Sequence, residues 1–346
     1  MVFPLYVLFN SASNDKNPYS RYYGSCMEPF TIPRFSGNIK YDEPMGRHST
    51  MGVGGLAPLF VEPFDEESLC LCAGALKQAG KPFFVLGGGS NTILPDKIPF
   101  AILSTRRLKT PPAIVETDGK AVTLSLPAGL LWGRVCTFCK ENNIDTFAPF
   151  SGLPGTVGGA LVMNATCFGF SACDALLSVR YLDARDMGLH EYKKDAHDFS
   201  YKKSPFQNND KIILSADFAV VRAPGEKSGE IRALYDSFLS QRVAKKHFSA
   251  PSAGSVFKND VEKSIVAGKI IDECGLKGTR VGGAKIADWH GNFIINEGKA
   301  SAKDVHDLVN LIKSEVKAKK NIALECEILF AGTEMCIGCV SNRGGH

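Results

Sequence analysis

Apolar positions along this chain change their spacing several times, and each change predicts an element. LFVEP at 59–63 is a short apolar run of strand type. Asp65 then stands where an N-cap belongs, ahead of EESLCLCAGALKQAG, whose apolar residues repeat at helical spacing until Gly80 stops them. KPFFVL at 81–86 is a continuous apolar strand that runs straight into GGGSN. Strand, helix, strand and glycine turn is the order of α/β units. AVTLSLPAG at 121–129 alternates like a half-buried strand, and a helix is expected at about 130–142. Strands follow at 177–183 and 211–221, and a helix over 227–241 puts Ile231, Leu234, Tyr235, Phe238 and Leu239 on one face.

In the last third, Ser301 and Asp304 have capping-box spacing before a stripe of Val305, Leu308, Val309, Ile312 and Val316. NIALECEILF at 321–330 reads as a closing strand. Ile322, Leu324, Cys326, Ile328 and Phe330 share one face, so Glu325 and Glu327 emerge together on the other.

Composition narrows the class. A chain of 346 residues with 44% apolar and 22% charged residues is of ordinary globular type and suits two or three domains. Its net charge of +4 is scattered, which suits an anionic small substrate and argues against nucleic acid as the main partner. MVFPLYVLF at the start has no basic flank and is too short to span a bilayer, so no membrane segment is expected. Residues 1–38, rich in Asn, Ser, Pro and Tyr, read as an extension. Eleven cysteines without a compact framework point to a reducing cytoplasm. Cys136 and Cys139 fit one helix face as packing residues, and Cys336 and Cys339 lack two further ligands for zinc. The histidines have no metal-binding spacing, and no metal site is expected.

Two glycine-rich stretches carry the candidate chemistry. Gly87-Gly88-Gly89-Ser90-Asn91 follows a strand directly, so successive amides are free to face one concavity and hold phosphate oxygens. It matches neither the dinucleotide fingerprint nor a P-loop, and a plain tight turn also suits it. SGLPGTVGGALVMNA adds Gly152, Gly155, Gly158 and Gly159 with the hydroxyl of Thr156. Together the stretches suggest a cradle for the two ends of one large diphosphate cofactor.

LGGGSN, GLPGTVGGALVMNA, Tyr201 with Ser204, PSAGSVFKN and GLKGTRVGGAKIADWHGNFIIN occur in that order, and the set resembles the UDP-N-acetylenolpyruvoylglucosamine reductase family. The likeness runs from RHSTMGVGG (47–55) to LECEILFAG (324–332). It implies an α+β fold with a two-part FAD-binding domain, at 39–108 and 109–225, and an α+β substrate-binding domain at 226–332. A tail at 333–346 follows. It also implies non-covalent FAD, NADPH as hydride donor, and reduction of an enolpyruvyl ether of UDP-N-acetylglucosamine, a nucleotide-sugar substrate, in peptidoglycan precursor synthesis.

By the same resemblance Ser255 is the proton donor and Glu327 the essential glutamate, a choice over Glu325 that the residues alone leave open. Lys202 occupies the place of a family arginine. A point charge there replaces a planar fork, and the departure leaves two other readings: a flavin oxidoreductase of the same fold on another substrate, or a non-catalytic relative. Thr50, Asn91, Thr156 and Asn164 are expected against FAD, along with the glycines and Ser90. Tyr201, Arg242, Lys245, Lys258 and Asn259 are expected against substrate. His290 and Asn292 read as supporting residues. The stretch between Lys202 and Ser255 lacks room for a tyrosine-bearing loop, which resembles the shorter family subtype.

Overall fold

Phe60–Pro63 is buried along its whole length because it lies inside a largely parallel sheet. The computed structural model describes residues 30–116, 121–207, 210–260 and 263–338. This first sheet has the order Gly37–Lys40, Phe60–Pro63, Ala101–Ser104, Phe83–Leu86. Val61, Phe83, Ala101 and Leu103 share a cluster with Leu69, Cys72 and Leu76 of the helix Glu66–Gln78. Phe60, Phe84, Leu86 and Ile102 belong to a second cluster with Leu94 and Phe100. The split follows strand alternation. Asp65 caps the helix as expected, accepting from the Ser68 amide at 2.7 Å. Phe30 and Ile32 pack into the first cluster and Gly37 opens a strand, so residues 30–38 belong to this core rather than to an extension. Residues 1–29 lie outside the described ones.

The second sheet is antiparallel, in the order Leu189–Lys193, Leu176–Asp183, Lys211–Val221, Ala121–Pro127, Ala113–Glu116. Its core holds Trp132, Phe147, Phe150 and Phe218, and the helices Trp132–Glu141 and Ser228–Ala244 pack on it. Cys136 and Cys139 are buried there, and burial pushes each thiol up to about 12. Their spacing serves packing, while Cys339 lies outside the described residues. On Ser228–Ala244 the buried stripe is narrower than expected. Ile231, Tyr235 and Phe238 face the core, whereas Leu234 and Leu239 are exposed. This helix therefore joins the second core, although the boundary expected at 226 would have put it with the third unit.

The third sheet is antiparallel, in the order Ser252–Ser255, Phe293–Asn296, Ala284–Ile286, Arg280–Val281. The helix Ala302–Lys320 covers it, with the expected capping box at Ser301 and Asp304. The closing strand is where expectation and structure part. Only Leu329–Phe330 is strand, and it pairs in parallel with Thr92–Ile93 just after the first glycine turn. The residues before it form an extended strap along 256–258: the Lys258 amide donates to the Glu325 carbonyl at 2.9 Å and the Glu327 amide to the Val256 carbonyl at 2.8 Å. Face alternation survives, with Ile322, Leu324, Cys326, Ile328 and Phe330 in the third core.

Candidate active site

The two glycine stretches do not hold opposite ends of a cradle; they pack on each other. A Cβ at Gly88 would lie 2.5 Å from the Gly155 Cα, and one at Gly87 2.7 Å from the Thr156 Oγ1. Gly155 itself has φ +107° and stands against Ser90, whose hydroxyl donates to the Pro154 carbonyl at 3.2 Å. The glycines are therefore spent on loop-to-loop contact, which the sequence could not distinguish from contact with a ligand. The joined loops make one wall of a cavity of about 980 Å³, at the upper end for a small-molecule site.

Residues present on this wall fit a diphosphate cofactor. Among the described residues, the backbone amides of Gly87, Gly88, Gly89 and Ser90 donate to no protein acceptor, so they are left for an anion. Gly158 and Gly159 open the short helix Val157–Val162 and line the cavity. Thr156 caps that helix through its hydroxyl, accepting from the Gly159 amide at 3.3 Å. Thr50 also lines the cavity, and its hydroxyl donates to the Ser252 carbonyl at 2.7 Å. Asn91 lines it too, but its side chain is a strut: the amide donates to the Glu327 carbonyl at 3.0 Å. Asn164 is a correction. It is buried outside the cavity lining, donating to the Ser200 carbonyl at 2.9 Å and accepting from the Cys173 amide at 3.3 Å, so it ties loops together.

Ser255 ends the strand Ser252–Ser255 and lines the same cavity as the glycine wall. The strap carries Glu327 past Val256, beside the serine, and Lys202 meets it there with Nζ 2.6 Å from Oε1. Lys202 sits in a tight turn at φ +58°, where its carbonyl is held by the Gln207 side chain at 2.9 Å. Both side chains of the pair are largely enclosed, at 10% and 15% exposure. All three residues line the one cavity.

The expected substrate residues divide. Arg242 is buried, and its guanidinium lies 5.4 Å from the Phe168 ring centre with Nε lacking a hydrogen bond. Lys245 stands over the same ring at 5.5 Å, and Tyr201 is partly exposed at the rim. Asn259 lines the cavity while its Oδ1 accepts from the Ala267 amide at 3.0 Å. Lys258 is a second correction: it leaves the cavity and pairs with Glu325 at 2.5 Å. Asn292 is a buried clamp, bonding both the amide and the carbonyl of Phe257 at 2.8 Å.

Sequence reasoning missed three cavity residues. His247, where burial and the charges of Arg242, His290 and Lys245 press the imidazole down to about 4, lies tilted against Phe293 with ring centres 5.2 Å apart. Phe168 carries the cation site just described, and its φ of +50° gave no readable signal. Cys167 faces the same charges; burial raises its thiol, against the pull of Arg242 and Lys202. Among the described residues there is no cluster able to hold a metal ion.

Comparison with known proteins points to one family. The family model described as UDP-N-acetylenolpyruvoylglucosamine reductase, C-terminal domain, matches residues 245–331, and one described as an FAD binding domain matches residues 57–187. The UDP-N-acetylenolpyruvoylglucosamine reductase of Treponema denticola is 36% identical over 308 residues, covering 86% of this chain and 94% of that protein. That of Clostridioides difficile is 33% identical over 310 residues, with the same two coverages of 86% and 94%. The crystal structure of UDP-N-acetylenolpyruvylglucosamine reductase from Thermus caldophilus is 29% identical with a TM-score of 0.68, over 86% of this chain and 100% of that one. At this identity over 86% of its length, the chain belongs to the UDP-N-acetylenolpyruvoylglucosamine reductase family.

Proposed function

We propose that this protein reduces the enolpyruvyl ether of UDP-N-acetylglucosamine to the lactyl ether of UDP-N-acetylmuramate, a peptidoglycan precursor, using FAD and NADPH. One observation carries the reading: Ser255, the Lys202–Glu327 pair and the free amides of Gly87 to Ser90 line a single cavity. Bound FAD supplies a two-electron carrier between NADPH and the enolpyruvyl group. Among the described residues no helix is long and apolar enough to cross a membrane, and the described cysteines are free thiols. Both agree with the cytoplasm as the place of work. The proposed division is two cofactor-binding units and a substrate unit that starts after Ala244.

Hydride addition at the β-carbon leaves negative charge at the α-carbon, beside the substrate carboxylate. That carbon then needs a proton, and the Ser255 hydroxyl is the group assigned to give it. A hydroxyl is a weak acid, so positive charge has to favour its transfer. Lys202, Arg242 and Lys245 bring that charge to the cavity wall. Lys202 takes the substrate carboxylate, and Glu327, anchored by its backbone to Val256, takes up a solvent proton and passes it to the serine oxygen once the hydroxyl proton has gone to the carbon. The product gains one hydride and one proton, which balances the reduction.

The test separates the half-reactions. The protein is reduced anaerobically with NADPH and then mixed with the enolpyruvyl nucleotide. Ser255→Ala should leave reduction by NADPH unchanged and slow reoxidation by at least about a hundredfold. Equal reoxidation rates in the two proteins would sink the proton-donor assignment, and bleaching without recovery in the parent would sink the substrate.

A further inference from the structure

Residues 333–338 lie past the last residue of the matched family block, 331, and the sequence marks them only as tail. In the fold they double back through the short turn Thr333–Met335 onto the first sheet. Ile337 and Phe83 exchange both backbone hydrogen bonds, at 2.9 and 3.1 Å. Phe83–Leu86 is the edge strand of that sheet, so the tail covers an edge that would otherwise be open to pairing. Cys336 turns into the cluster of Phe84, Leu86 and Phe100. Met335 packs against the same cluster and Ile337 against that of Phe83, and both also line the cavity, as do Phe84 and Val85.

Position along the chain gives this contact a direction. The covered strand leads into the free amides of Gly87 to Ser90, and these lead to Asn91, whose side chain holds the Glu327 carbonyl. Along the chain, the anion nest thus lies between the strand that pairs with the tail and the residue that holds Glu327. A dinucleotide with its diphosphate in the nest puts one end at the reacting groups and the other against Met335 and Ile337. The latter wall is apolar and suits a flat base.

We propose that residues 333–338 form part of the seat for the adenosine half of FAD, so that this tail makes the protein prefer FAD to FMN. The inference rests on the FAD reading above. It is tested by titrating FAD and FMN, followed by flavin fluorescence, into three proteins: the full chain, a chain ending at Gly332, and Met335→Asp. The full chain should bind FAD more tightly than FMN. Both variants should lose about tenfold or more in FAD affinity, through lost apolar contact and a misplaced charge, with FMN affinity unchanged. If the shortened chain fails to fold, Met335→Asp carries the test, because the Ile337–Phe83 pairing is left in place. Unchanged FAD affinity in Met335→Asp, or FAD and FMN affinities falling in parallel, would overturn the proposal and leave the tail as an edge cover. A full chain that binds neither flavin would overturn the cofactor reading itself.

Discussion

Glu325 and Glu327 are two residues apart on one face of the strap, and each ends in an ion pair with a lysine, at 2.5 Å to Lys258 and 2.6 Å to Lys202. In chemistry and distance the two pairs are alike. Their surroundings differ: the Glu325 side chain is 73% exposed and the Glu327 side chain 15%. Water screens the outer pair, so it is worth about 0–1 kcal/mol. Around the inner pair little water is left, and removing one partner leaves a charge that the site must absorb. Burial, rather than the pairing itself, separates a surface contact from a candidate working pair.

The comparison breaks most sharply at the inner carboxylate. Glu327→Gln should cost about a hundredfold or more in turnover, measured as reoxidation of the reduced flavin by the enolpyruvyl nucleotide. An unchanged turnover would mean that Glu327 is no more than a strut. Lys202→Arg keeps the charge and restores a planar fork, so it should change turnover by less than about tenfold. A much larger gain would instead mark the lysine as the lesion of a relative that has lost its activity.

His247 tests the dry side of the comparison by pH. Its imidazole is held down from 6.5 to about 4 by burial and then by Arg242, His290 and Lys245. Between those values the unfolded chain binds the proton and the folded one does not, so stability should fall as pH drops through that window. His247→Gln should flatten this slope in thermal melts, and an unchanged slope would assign it to other groups. The smallest effect belongs to the outer pair. Glu325→Gln should leave turnover within about twofold and stability within about 1 kcal/mol, by the same kinetics and by urea unfolding.

Several site residues were legible because their type and order are chemically rare. The glycine runs, Ser255 and Glu327 all line the one cavity. Lys258 and Asn164 were misassigned because a polar side chain near a motif can turn either way, and only packing decides which. His247 and Phe168 gave no warning, since neither belongs to a spacing pattern.

The sequence by itself determined the periodic elements: the capped helices Glu66–Gln78 and Ala302–Lys320, the alternation of the second sheet, and the two-faced character of 321–330. These depend on neighbours a few residues away, which local pattern records. Tertiary structure alone decided that the two glycine stretches touch, that the last segment is a strap rather than a strand, and that the tail returns to Phe83. It also decided which of two glutamates is enclosed. Each of those outcomes joins residues far apart in the chain, and exclusion of water between them is a property of the packed whole that local spacing does not carry.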